Sequence, residues 1–187
     1  MAKGQLRGTA KTITFVYLYI GAKDMLERAE VSQEGQLYTV MAALIFCAFT
    51  LEAYINHLGA ARHPDWETRE RKKPAKDKLK ELAKEVGITA DFGKSPYSSM
   101  RSLFTFRDTI AHGRTTRVTV DKPIVLDDRR LTQLTGAADW DSLATIENAR
   151  QALKDVETIV KSLHKASGFT GNPFSHSGSG VYAITSR

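Results

Sequence analysis

The side chains best equipped for chemistry lie together in one stretch, Met100-Arg-Ser-Leu-Phe-Thr-Phe-Arg107-Asp108-Thr-Ile-Ala-His112-Gly113-Arg114. A guanidinium binds anions through a fixed fork of donors and an imidazole exchanges protons near neutrality, so the pair can hold an anionic group and move a proton beside it. At about 100° per residue, Met100, Leu103, Phe104, Ile110 and Ala111 fall within about 60° of Arg107, which sets the guanidinium in the middle of an apolar stripe. An arginine there needs a partner, because burying it unpaired is costly. Either a core carboxylate such as Glu52 meets it, or the stripe faces a second subunit or an anionic ligand. His112 lies about 140° round, in the last turn, where a helix C-terminus favours the protonated imidazole. In the plainest reading Arg107 pairs with Glu52 and His112 only decorates the helix end.

The elements that must position these groups are legible as periodicities. Phe15, Leu18, Ala22, Met25, Leu26 and Ala29 recur at helical spacing and predict a first helix, although Thr12 to Ile20 carries enough β-branched and aromatic residues for a strand. A second helix, from about Gln36 to Leu58, is apolar on nearly all sides with Glu52 its single interior charge, and Gly59 and Pro64 end it. The charge-rich stretch from Arg62 to Lys84 reads mostly as a solvated face, with a short helix after Pro74 that turns Leu79, Leu82, Ala83 and Val86 inward and ends at Gly87. Ser95 and Pro96 read as the cap and first turn of the helix that carries Arg107.

Over about residues 115–128, Val118 and Val120 alternate with polar residues ahead of Pro123, which predicts a small hairpin or an extended arm. After Asp139 or Asp141 as cap, Ile146, Ala149, Leu153, Val156, Val160 and Leu163 hold a heptad spacing that predicts one long helix closed by Gly168. The fold expected is all-α: an up-and-down bundle of four to five helices over residues 1–166, followed by a Gly/Ser-rich tail over 167–187, mobile or laid as a strap.

Several classes of chemistry are excluded by composition and spacing. With 187 residues the chain can bury a core without staples, and a single Cys rules out a disulfide scaffold. Cys47 sits in an apolar run, where a thiol is inert packing in a reducing compartment. The five histidines show no paired ligand spacing, so no metal centre and no cofactor is expected. Gly178-Ser-Gly180-Val-Tyr-Ala183 imitates a dinucleotide fingerprint but no helix can follow it, and Gly93-Lys94-Ser95 imitates a phosphate loop without the strand that must precede one. Leu37 to Leu51 is shorter than the ~20 residues of a membrane span. Lys3, Arg7 and Lys11 before Ile13–Ile20 imitate a signal peptide, but no cleavage pattern follows, so the protein is read as cytoplasmic. A net charge of +6 is compatible with an anionic partner, nucleic acid above all.

Arg107, the polar Asp108 directly after it, and Ala-His112-Gly at a helix end, together with the earlier Leu51-Glu52-Ala-Tyr-Ile55-Asn56, resemble the HEPN superfamily, the helical domains of many prokaryotic toxins and phage-defence ribonucleases. The resemblance implies metal-independent cleavage of single-stranded RNA at a cleft shared by a homodimer. His112 would move the proton of the ribose 2′-hydroxyl or of the leaving 5′-oxygen, Arg107 would stabilise charge on the phosphorus oxygens, and Asp108 would orient one of them. Glu52 would support Arg107, and Arg101, Arg114 and Arg117 would contact phosphates. It further implies a regulator, an antitoxin or a nucleotidyltransferase. In one HEPN toxin group the nucleotidyltransferase modifies a Tyr two residues after the His, where this sequence has Arg114. The alternative is a catalytically inactive HEPN module that binds nucleotide, RNA or a partner subunit.

Overall fold

The structure, a computed structural model, describes residues 4–115, 117, 119 and 140–186. It is mostly helical, with one small antiparallel sheet. Strand β1 (Gly4–Thr12) leads into α1 (Thr14–Val31), α2 (Gln36–Arg62), α3 (Trp66–Glu70), α4 (Ala75–Glu85), α5 (Ser98–Ala111), a 3-10 turn (Asp141–Leu143), α6 (Ile146–Ala166) and strand β2 (Gly178–Ser186).

Helix α2 is central: it packs against α1, α3, α4, α5 and α6, which is why it tolerates apolar residues all round. By length and composition it could also cross a membrane, with a mean hydropathy of 1.7 over its most apolar window, yet half of that window is buried inside the protein. Gly59 does not end the helix, which continues to Arg62. Its missing side chain leaves room for the Trp66 indole, whose ring fills the space a Cβ would take, and Trp66 is buried there.

The first helix starts at Thr14 and buries Phe15, Val16, Ala22, Leu26 and Ala29, in accord with the 3.6-residue spacing. The strand-like residues from Thr12 to Ile20 lie almost wholly inside this helix, and only Thr12 belongs to β1, a strand the sequence did not announce. Residues 178–186 are neither loose nor a strap, since β2 pairs antiparallel with β1 over nine positions from Gly4↔Ser186 to Thr12↔Gly178. Long-range ladder pairing of this kind leaves no local turn signal. The cap of α6 also differs from expectation: Thr145 accepts from the Asn148 N–H at 3.2 Å, while Asp141 opens the 3-10 turn. Asp139 lies outside the described residues, as does most of the arm expected over 115–128.

Candidate active site

Helices α2, α4 and α5 converge on one charged knot. Arg107 Nη1 on α5 donates to Glu52 Oε2 on α2 at 2.6 Å, and the two side chains are 20% and 25% exposed. The other oxygen of Glu52 receives Lys78 Nζ from α4 at 3.4 Å, and the same ammonium donates to Asn56 Oδ1 at 3.1 Å. Lys78 is only 3% exposed, so its charge depends on these two acceptors. Arg107 Nε lies 2.8 Å from Asp108 Oδ1 without the alignment of a hydrogen bond. The guanidinium also stands 5.8 Å from the Phe104 ring centroid, within cation–π range. Of the Arg107 nitrogens, only Nη1 is hydrogen-bonded among the described residues, and with Nε buried against Asp108 it is Nη2 that can meet an anion.

The knot forms one wall of a cleft of about 380 Å³. Lys73, Lys76 and Arg101 add positive charge to it, against Glu70 and the exposed Asp108. Lys73 is engaged with Glu81 at 2.5 Å, whereas Arg101 pairs with no acid among the described residues and also lines a neighbouring cleft with Thr105, Phe106 and Trp140. Among the described residues, no group of three His, Cys, Asp or Glu side chains could hold a metal ion.

Helix α5 is set in place from its N-terminal end. It begins at Ser98, two residues later than Ser95-Pro96 suggested, and buries Met100, Leu103, Phe104 and Phe106, while Ala111 is exposed and Ile110 half-buried. Asp155 of α6, itself buried, accepts from Ser99 Oγ at 2.5 Å, from Gln151 Nε2 at 2.8 Å and from Ser95 Oγ at 3.5 Å. A carboxylate beside the first turn of a helix also meets the positive end of its dipole.

The structure thus brings Glu52, Arg101, Arg107 and Asp108 to one cleft and leaves His112 outside it. His112 caps α5, its backbone N–H donating to the Asp108 carbonyl at 2.9 Å, and its side chain is exposed. Arg114 and Arg117 follow it as exposed residues outside regular structure. Lys78, Asn56 and Asp155 were missed by the sequence reading. For Lys78 a signal existed: Ala75, Lys78, Leu79 and Leu82 share one face at i, i+3, i+4 and i+7, so the lysine interrupts an apolar stripe as Arg107 does. Cys47 is buried as expected, and desolvation pushes its thiol up to about 12, which removes it as a nucleophile.

Comparison with known proteins found no protein family, curated protein or solved structure that matches the chain.

Proposed function

We propose that the protein is an HEPN-like endoribonuclease that works as a homodimer in the cytoplasm, on single-stranded RNA and without a metal. The observation that carries this reading is the anchoring of Arg107. Glu52 fixes Nη1, Asp108 sits against the buried Nε, and Nη2 carries no hydrogen bond among the described residues beside a cleft whose cations outnumber its acids.

In the proposed reaction the 2′-oxygen attacks the adjacent phosphorus, the bond to the 5′-oxygen breaks, and the products are a 2′,3′-cyclic phosphate and a 5′-hydroxyl. Arg107 stabilises the phosphorus oxygens as charge builds on them. His112 moves the proton, and Arg101 holds a neighbouring phosphate. His112 stands outside the cleft of its own chain, so a second copy, in an up-and-down bundle pairing through α5, is needed to bring an imidazole to the guanidinium.

The same displacement of His112 favours a second reading, an inactive HEPN module in which the Arg107 cleft binds a nucleotide, RNA or partner subunit. Incubation of mixed single-stranded RNAs with the protein in excess EDTA separates the two: cleavage to cyclic phosphate ends supports the nuclease, and RNA binding without cleavage supports the module.

A further inference from the structure

Helix α5 borders two clefts, one on each side of a single ridge. Counted round the helix from Arg107 at 100° per residue, Arg101 stands at about 120°, Thr105 at about 160° and Phe106 at about 260°. The cleft of the charged knot runs from Arg107 to Thr105, and a second cleft of about 390 Å³ begins at the same two residues, Arg101 and Thr105. Its lining is different in kind. Buried Phe106 contributes an aromatic surface, as do Trp140 and Leu143 an apolar wall from the 3-10 turn, while Ser102 and Thr109 add hydroxyl groups to that of Thr105. Arg101 is the only charged residue among those that line it. The turn that carries Trp140 is tied down: the Leu143 N–H donates to the Trp140 carbonyl at 3.0 Å, and Asn148 Nδ2 of α6 donates to the Leu143 carbonyl at 3.2 Å. The chain has two tryptophans, and the other, Trp66, is buried with His63 stacked on it and the Arg69 guanidinium 5.6 Å from its ring. Trp140 is half-buried, and among the described residues no ring or cation stacks on it.

We propose that this second cleft is a nucleobase subsite, in which a base packs on Trp140 while its phosphate meets Arg101. The proposal rests on the reading of the Arg107 cleft as the place where RNA is cleaved, and it adds where the neighbouring nucleotide goes. The lining selects the occupant. An aromatic face, hydroxyls that both donate and accept, and one guanidinium with no acid paired to it among the described residues together suit a flat ring with polar edges and one attached negative charge. A free phosphate would use Arg101 alone and leave Trp140 and Phe106 without contacts. An apolar peptide side chain would cover the rings and leave the hydroxyls and the guanidinium without partners. Continuity supports the same choice, because the Arg101–Thr105 ridge belongs to both clefts. On an extended strand crossing that ridge, a phosphate at Arg107 is followed by one at Arg101 and by a base against Trp140. Since each hydroxyl takes either role, the subsite holds any base in preference to none and discriminates weakly among bases, so it sets the register of the strand more than its sequence.

Two single-stranded deoxy decamers test the subsite, since the proposed reaction cannot cleave a chain without 2′-hydroxyls. One carries adenine at every position, and the other has the same backbone and charge with every base removed. The adenine decamer should quench tryptophan emission and bind at least about tenfold tighter than the abasic one, by anisotropy of a labelled strand. Trp140→Leu should abolish the quenching and bring the two affinities within about twofold, whereas Trp140→Phe, which keeps an aromatic face, should retain most of the difference. Arg101→Gln should weaken both decamers alike and reduce the salt slope of binding by about 0.7. Trp140 also packs against the core, so the comparison of the two decamers on the wild-type chain decides the matter without any variant. Equal binding of the two decamers, quenching by the abasic strand, or a preference for bases that survives Trp140→Leu would overturn the proposal. The subsite and the nuclease reading fail separately. RNA cleavage by a chain that binds both decamers equally overturns the subsite alone, and base-dependent quenching in a chain that cleaves no RNA supports the subsite while contradicting the nuclease.

Discussion

Glu52 and Arg107, 55 residues apart in sequence, meet at 2.6 Å with Lys78 bound to the other oxygen of the same carboxylate. One acid therefore holds two cations at the junction of three helices, and its loss leaves the buried Lys78 with no carboxylate, only Asn56, and Arg107 with Asp108 alone. Glu52→Ala should lower stability by about 3–5 kcal/mol, the usual result of leaving a buried charge unpaired. Arg107→Ala, which leaves Lys78 its partner, should cost less. Chemical denaturation of the two variants checks the order, and an equal or inverted cost would show that Glu52 does not carry the junction.

Replacing Arg107 by Lys separates holding from chemistry. The ammonium keeps a charge opposite Glu52, so the melting temperature should move little, whereas the fork is lost and RNA cleavage should fall by roughly 100-fold or more. Cleavage at near wild-type rate in Arg107→Lys would mean that the fork contacts no reacting oxygen.

Much of the helical frame was legible because amphipathic spacing is a local property: α1, α4 and α6 follow the residues that carry their stripes. The Glu52–Arg107 contact was legible too, since each is a charge in an apolar setting and such charges need one another. The ribbon was not, because its pairing joins residue 4 to residue 186 and neither strand carries a hairpin signal. Nor was Gly59, whose role is set by the Trp66 indole arriving from a different helix and not by its own neighbours. Lys78 was hidden among the many lysines of a stretch that reads as solvated surface.

Gly59→Ala should destabilise the protein by about 1–3 kcal/mol, since the added methyl must displace the buried Trp66 ring. The control is Gly59→Ala combined with Trp66→Leu, in which the methyl has room. If the single change costs no more in the wild-type background than beside Trp66→Leu, the indole is not what requires a glycine.

His57 lies among Phe15, Tyr54 and Phe169, and its pKa is lowered by desolvation first and then by Lys11 and His164. The unfolded chain therefore binds a proton that the folded chain resists. Stability from this site is full above the unfolded value of 6.5 and declines as pH falls through 6.5 towards the lowered folded value. Thermal melts from pH 8 to 5 should show this decline, and His57→Phe should flatten it. An unchanged slope in His57→Phe would assign the dependence to another group.

Cleavage of a single-stranded RNA in excess EDTA, with the product ends identified, tests the central claim most directly when wild type and His112→Ala are compared. The wild-type protein should leave a 2′,3′-cyclic phosphate and a 5′-hydroxyl, a 2′-deoxy substitution at the cleavage site should block it, and His112→Ala should be inactive while still folding and binding RNA. Cleavage that requires Mg²⁺ and leaves 5′-phosphate ends, cleavage that survives His112→Ala, or RNA binding by the wild type with no cleavage would contradict the account.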